Sequence, residues 1–114
     1  MAASYVVNIS INAGSSFTQS FTVDSDGGLL DLSQYQINSQ LRKHAQSTSY
    51  TNFITTSTSP SSGVFTLKLT PEISSGLKPG RYVYDVILTN NNNGIKTRVV
   101  EGTAMITSDV TKPI

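Results

Sequence analysis

The sequence predicts an all-β sandwich of seven to eight strands, and three observations carry the prediction. Hydroxyl residues dominate: 31 of 114 residues are Ser or Thr, against five Ala and two Glu. Threonine fits pleated surfaces, serine fits turns, and strong helix formers are scarce. Apolar residues recur at every second position in short runs bounded by Gly, Pro, Asn and Asp, which is the strand signature. Those runs follow one another at the spacing of a two-sheet sandwich.

The elements follow in order. "SYVVNISIN" (4–12) alternates through Tyr5, Val7, Ile9 and Ile11 and stops at Gly14. "SFTQSFTVD" (16–24) puts Phe17, Phe21 and Val23 on one face, and "DSDGG" (24–28) is a hairpin or loop signal. A short turn around Asp31 and Ser33 leads into "YQINSQLRKH" (35–44), where Tyr35, Ile37, Ser39 and Leu41 share a side. A weak strand around Phe53 and Ile54 comes next, then a strong one at 64–70 with Phe65, Leu67 and Leu69 inward. "PEISSG" (71–76) predicts one helical turn with Pro71 at its first position. "RYVYDVILT" (81–89) and "IKTRVVEGTAMIT" (95–107) are the longest strands, joined by "NNNNG", whose Asn and Gly tolerate the positive φ of a tight turn. Gly102, inside the last run, predicts a bulge or a switch between sheets.

Length and charge narrow the function classes. The chain reads as one domain, 1–114, with a loose C-terminal tail at 108–114. Net charge is +1 and 13% of residues are charged, so no field favours nucleic acid or anionic lipid. There is no cysteine, hence no disulfide, thiolate nucleophile or zinc–thiolate cluster. No basic and apolar leader opens the sequence, and no run approaches the roughly 20 apolar residues of a membrane span. The expectation is a soluble chain made in the cytosol.

"LKPGRYVYD" (77–85) is the most specific stretch. Immunoglobulin-like sandwiches start their sixth strand with a tyrosine whose hydroxyl bonds back to upstream backbone, two residues before a core cysteine. Tyr82 fits that corner and Tyr84 stands at the cysteine position. Pro79 and Gly80 form the turn that delivers them, and Gly102 completes the set of expected structural anchors. A chemical role for either tyrosine would need a tuning partner, and the single His44 sits at the end of another strand pattern. No hydrolytic triad, nucleophile elbow or phosphate loop can be assembled. Asp24, Asp26 and Asp31 suggest calcium, but Gly28, Leu32 and Tyr35 occupy positions where an EF-hand loop supplies oxygens. Catalytic residues, metals and cofactors are therefore all expected to be absent.

The order of motifs adds a resemblance. "GSSFTQSFTV", "DLSQYQINSQLRK", "GVFTLKLTPEISSGLKPGRYVYDVILT" and "GIKTRVVEGTAMITSDVT" together resemble the immunoglobulin-like domains of tailed-bacteriophage virion proteins. They are similar to the N-terminal domain of baseplate upper proteins and to small capsid decoration or cement proteins. The likeness runs from about Val7 to Thr111. It implies a non-enzymatic virion protein, assembled in the host cytoplasm and bound in many copies to the major capsid protein or to tail and baseplate proteins. Self-association is a further expectation, whereas nucleic acid and membrane are not expected partners. A domain standing alone favours capsid decoration over a tail, neck or baseplate part. From another class, an adhesin or carbohydrate-binding module would require Tyr5, Tyr50 and Phe53 to cluster outward.

Overall fold

Alternation of apolar and hydroxyl residues builds two β-sheets that close on a shared core. The computed structural model describes residues 5–25 and 28–110. In chain order the strands are β1 (Tyr5–Val6), β2 (Ile9–Ala13), β3 (Phe17–Thr22), β4 (Asp24–Ser25), β5 (Gly28–Leu29) and β6 (Tyr35–Arg42). They continue with β7 (Thr51–Asn52), β8 (Ile54–Ser59), β9 (Val64–Leu69), helix α1 (Pro71–Ser75), β10 (Gly80–Asn90) and β11 (Lys96–Ser108). Six strands form the larger sheet, in the order β1-β11-β10-β6-β7 with β2 also on β11, and three form the smaller, β3-β9-β8. β4 and β5 pair separately. The fold is all-β, with β3, β9 and β8 facing a sheet built on β6, β10 and β11. That is the immunoglobulin-like arrangement.

The predicted inward faces form the core. Ile9, Ile11, Phe17, Phe21, Val23, Ile37, Leu41, Phe65, Leu67, Leu69, Val86 and Leu88 are all buried. Tyr5, by contrast, is exposed, because β1 lies at the rim of the sheet. β1 and β2 keep one register on β11, Tyr5 opposite Val100 and Ile9 opposite Ala104. They are one parallel strand interrupted at Val7–Asn8.

Phe53 marks a change of sheet. Thr51 and Asn52 pair with β6, and the Phe53 N–H still donates to the Ser39 carbonyl at 3.0 Å. From Ile54 onward the chain pairs with β9 in the other sheet. The Thr55 hydroxyl, donating to the Ile37 carbonyl at 3.0 Å, ties the crossing down. One lateral side of the sandwich is thus closed by continuous chain.

The last strand corrects one expectation. Gly102 is neither a bulge nor a sheet switch: it stays in register opposite Tyr84. The irregularity falls between Val86 and Ile87, opposite Val100 and Arg98, which leaves Val99 as the extra residue. Consecutive Val99 and Val100 are therefore both buried, the mark of a two-for-one bulge.

The predicted helical turn is α1. The Thr70 hydroxyl caps it by accepting from the Ile73 N–H at 3.3 Å, with Pro71 at the first position. Its buried Ser74 donates to the Ser15 carbonyl at 2.8 Å and accepts from the Gly14 N–H at 3.0 Å. At the end of β11, the Asp109 carboxylate accepts from the Ser15 hydroxyl at 3.0 Å. This part of the expected tail is tied to the body, while 111–114 lie outside the described residues.

Candidate functional site

The residues singled out in "LKPGRYVYD" divide: Tyr84 reaches the first strand, whereas Pro79, Gly80 and Tyr82 lie beside the end of β6. Gly80 has φ +145°, a conformation that side chains disfavour, and follows Pro79 to turn the chain into β10. The Tyr82 hydroxyl donates to the Lys78 carbonyl at 2.9 Å, four residues upstream, which is tyrosine-corner geometry. Its ring is half-buried against the core, and Lys43 Nζ lies 4.8 Å from the ring centroid. The bond sits at the surface instead of the interior, so Tyr82 contributes packing more than a buried hydrogen bond.

Tyr84 is the deeper anchor, 4% exposed. Its ring meets Phe53 edge-on at 6.0 Å, and Phe53 meets Phe17 of the opposite sheet at 5.9 Å. The three rings bridge the sheets where antibody domains use a disulfide and a tryptophan. Two such pairs are worth about 1–3 kcal/mol beyond buried area, comparable with the roughly 2–4 kcal/mol of a disulfide. The Tyr84 hydroxyl donates to the Val7 carbonyl at 2.7 Å, and burial pushes its pKa up to about 12.

Gly102 makes that bond possible. A Cβ there would lie 2.1 Å from the Val7 carbonyl oxygen, so only glycine admits the tucked-in chain. The Val7 N–H donates to the Glu101 carbonyl at 2.9 Å. Asn8 Oδ1 then accepts from the Thr103 N–H at 3.1 Å and the Thr103 hydroxyl at 3.0 Å. A side-chain amide thereby replaces one rung of the ladder. Sequence reasoning missed Asn8 and Val7, because Tyr84 lies 77 residues from Val7 and Thr103 lies 95 from Asn8, and no local pattern marks them.

The outer face of the larger sheet carries a shallow depression of about 580 Å³. Asn8, Gln40, Arg42, Asp85, Arg98 and Glu101 line it, with His44 among the lining residues. A neighbouring depression of about 390 Å³ shares Gln40, Asp85 and Arg98. Asp85 lies in both, and burial raises its carboxyl pKa against the opposing pull of Arg98. Arg98 pairs with Glu101 at 3.1 Å, and Arg42 donates to Gln40 Oε1 at 2.7 Å and to the Ser47 carbonyl. These groups are suited to hydrogen bonding and charge complementarity with another surface. The Ser39 hydroxyl donates to the Asp85 carbonyl at 2.6 Å, which commits it to the ladder.

Other candidates disperse. Phe53 is 5% exposed, so the outward cluster of Tyr5, Tyr50 and Phe53 that a carbohydrate-binding module would require does not form. Tyr5 and Tyr50 line separate depressions, and Arg42 lies over the Tyr50 ring at 4.7 Å. Asp31 caps a short 3-10 turn by accepting from the Ser33 N–H at 2.9 Å. Asp26 lies outside the described residues, among which no group of three acidic, His or Cys side chains converges on a metal position.

No protein-family model matches the chain, and no curated protein does. Among solved structures it is similar to Listeria monocytogenes InlP at 18% identity and TM-score 0.47, covering 91% of this chain and 28% of that one. A VGSC beta subunit, studied for multimeric cell-adhesive interactions, is similar at 14% identity and TM-score 0.43, covering 93% of both chains. A family 123 glycoside hydrolase from Clostridium perfringens follows at 13% identity and TM-score 0.43, covering 94% of this chain and 23% of that one. The chain thus spans well under a third of InlP and of the hydrolase.

Proposed function

We propose that this chain is a non-catalytic structural module that works by binding other proteins. One observation carries the reading: the aromatic residues most open to a chemical interpretation are structural. Tyr84 and Phe53 bridge the sheets, and Tyr82 closes the corner. The groups left facing outward lie on a stiff sheet face, where Asp85, Arg98, Glu101 and Arg42 present fixed charge to a partner.

The setting rests on the ordered sequence motifs. They support a virion accessory of a tailed bacteriophage, a capsid decoration or cement protein bound in many copies to the major capsid protein. Repetition on a symmetric shell would convert weak single contacts into firm attachment. Cryo-EM of intact particles tests this, since head and tail copies obey different symmetries. Density for the chain on the capsid is the expected result. Density at the neck, tail or baseplate would replace the capsid assignment, and particles lacking the chain would sink the virion reading. A hydrolase activity lost in His44→Ala would overturn the non-catalytic part.

A further inference from the structure

A sandwich with two open sheets has four lateral edges, and three of them are blunted among the described residues. β7 is only two residues long. The β1–β2 edge is interrupted at Val7–Asn8. β8 loses register on β9 between Thr56 and Ser59. Short length, kinks and bulges are the usual protections against strand addition. β3 has none of them: "FTQSFT" is six residues, pairs with β9 without a break, and contains no proline and no charge.

The direction of its free groups follows from one bond. The Val23 N–H donates to the Gly63 carbonyl at 2.9 Å, extending the β3–β9 register by one pair. In an antiparallel ladder the bonded residues alternate. Phe17, Gln19 and Phe21 therefore face β9, and the N–H and C=O groups of Thr18, Ser20 and Thr22 face outward.

We propose that β3 pairs antiparallel with β3 of a second copy about a two-fold axis at Ser20, joining two small sheets into one of six strands. This register sets Ser20 opposite Ser20, and Thr18 opposite Thr22, of the other copy. Hydroxyl pairs of this kind are favourable on a sheet face. On the inner face Phe17 comes opposite Val23. No like charges meet, and the outward backbone groups of the three residues are paired, the Ser20 carbonyl exchanging its long 3.4 Å bond from Gln19 Nε2 for a strand bond. Among the registers this alternation allows, the one centred on Ser20 pairs all three outward residues of β3 with one another, which favours a second copy over an unrelated strand. The inference stands independently of the virion setting.

Sedimentation velocity of the full chain over a wide concentration range should show a monomer–dimer equilibrium. Ser20→Lys places two cations across the axis and should raise the dimer Kd severalfold to about tenfold, while an unchanged melt shows that the exposed site tolerates it. The native chain has no cysteine, so Ser20→Cys supplies a unique thiol. A short bismaleimide should join copies at position 20, where bonded partners lie about 5.5 Å apart. It should not join Thr18→Cys, whose two copies would be roughly 13 Å apart along the strand. A monomer at every concentration, or equal cross-linking at positions 18 and 20, would overturn the proposal. The cross-linking comparison decides the matter even if Ser20→Lys fails to fold.

Discussion

At the scale of single residues, Tyr84 joins packing to titration. Its ring links the sheets through Phe53, and its hydroxyl holds the Val7 carbonyl. Burial raises its folded pKa to about 12 from an ordinary 10.0. The folded state therefore keeps a proton that the unfolded chain releases first. The associated stability is complete below pH 10 and declines as pH rises toward 12. Urea titrations between neutral pH and about pH 11 should show Tyr84→Phe losing less stability than the parent. Asp85 has the same sign in a lower pH window. Its pKa is raised by burial, so ionisation costs stability as pH rises through the folded value. Asp85→Asn should melt higher than the parent at neutral pH, and the gain should vanish below the ordinary carboxyl value of 3.8. A lower melting point at neutral pH would show that the pull of Arg98 outweighs burial. Both roles were partly legible: the alternation through Tyr84, Asp85 and Val86 separates inward from outward side chains, but not their depth.

At the scale of elements, the first strand is held by what Gly102 lacks. The Val7 carbonyl occupies the space of a Cβ on β11, and Asn8 repairs the ladder there. Gly102→Ala should force the backbones apart at a cost of about 1–3 kcal/mol. Hydrogen exchange should then speed up selectively at the amides of Ile9–Ala13, with β9 little affected. Uniform acceleration across both sheets would mean that the strand does not detach on its own. The elements themselves were largely visible in the pattern, including the helical turn at Pro71 and the long β10 and β11. The bulge was not. Consecutive Val99 and Val100 read as a simple apolar run, and only pairing with β10 reveals that one residue is extra.

At the scale of the whole molecule, cohesion comes from apolar and aromatic packing and from backbone ladders. Net charge is +1, and the Arg98–Glu101 pair is exposed, at 53% and 42%. Exposed pairs of this kind contribute about 0–1 kcal/mol. Unfolding free energy should therefore change by less than about 1 kcal/mol between roughly 0.02 and 0.5 M sodium chloride. A larger change would place a structural role on the charges of the outer face. The molecule extends 47 × 29 × 21 Å, and a β3-paired dimer would be lengthened across its strands.

The sequence by itself determined the class, the inward faces and the corner. These depend on period-two alternation and turn chemistry, which act between near neighbours in the chain. Only the tertiary structure decided which partners those faces meet: Tyr84 with Val7, Ser74 with Gly14 and Ser15, Asn8 with Thr103. It also decided that Phe53 is interior and that β3 is the edge left without protection. These contacts join positions far apart in sequence. Their energies arise from burial and register, which exist only once both sheets are in place.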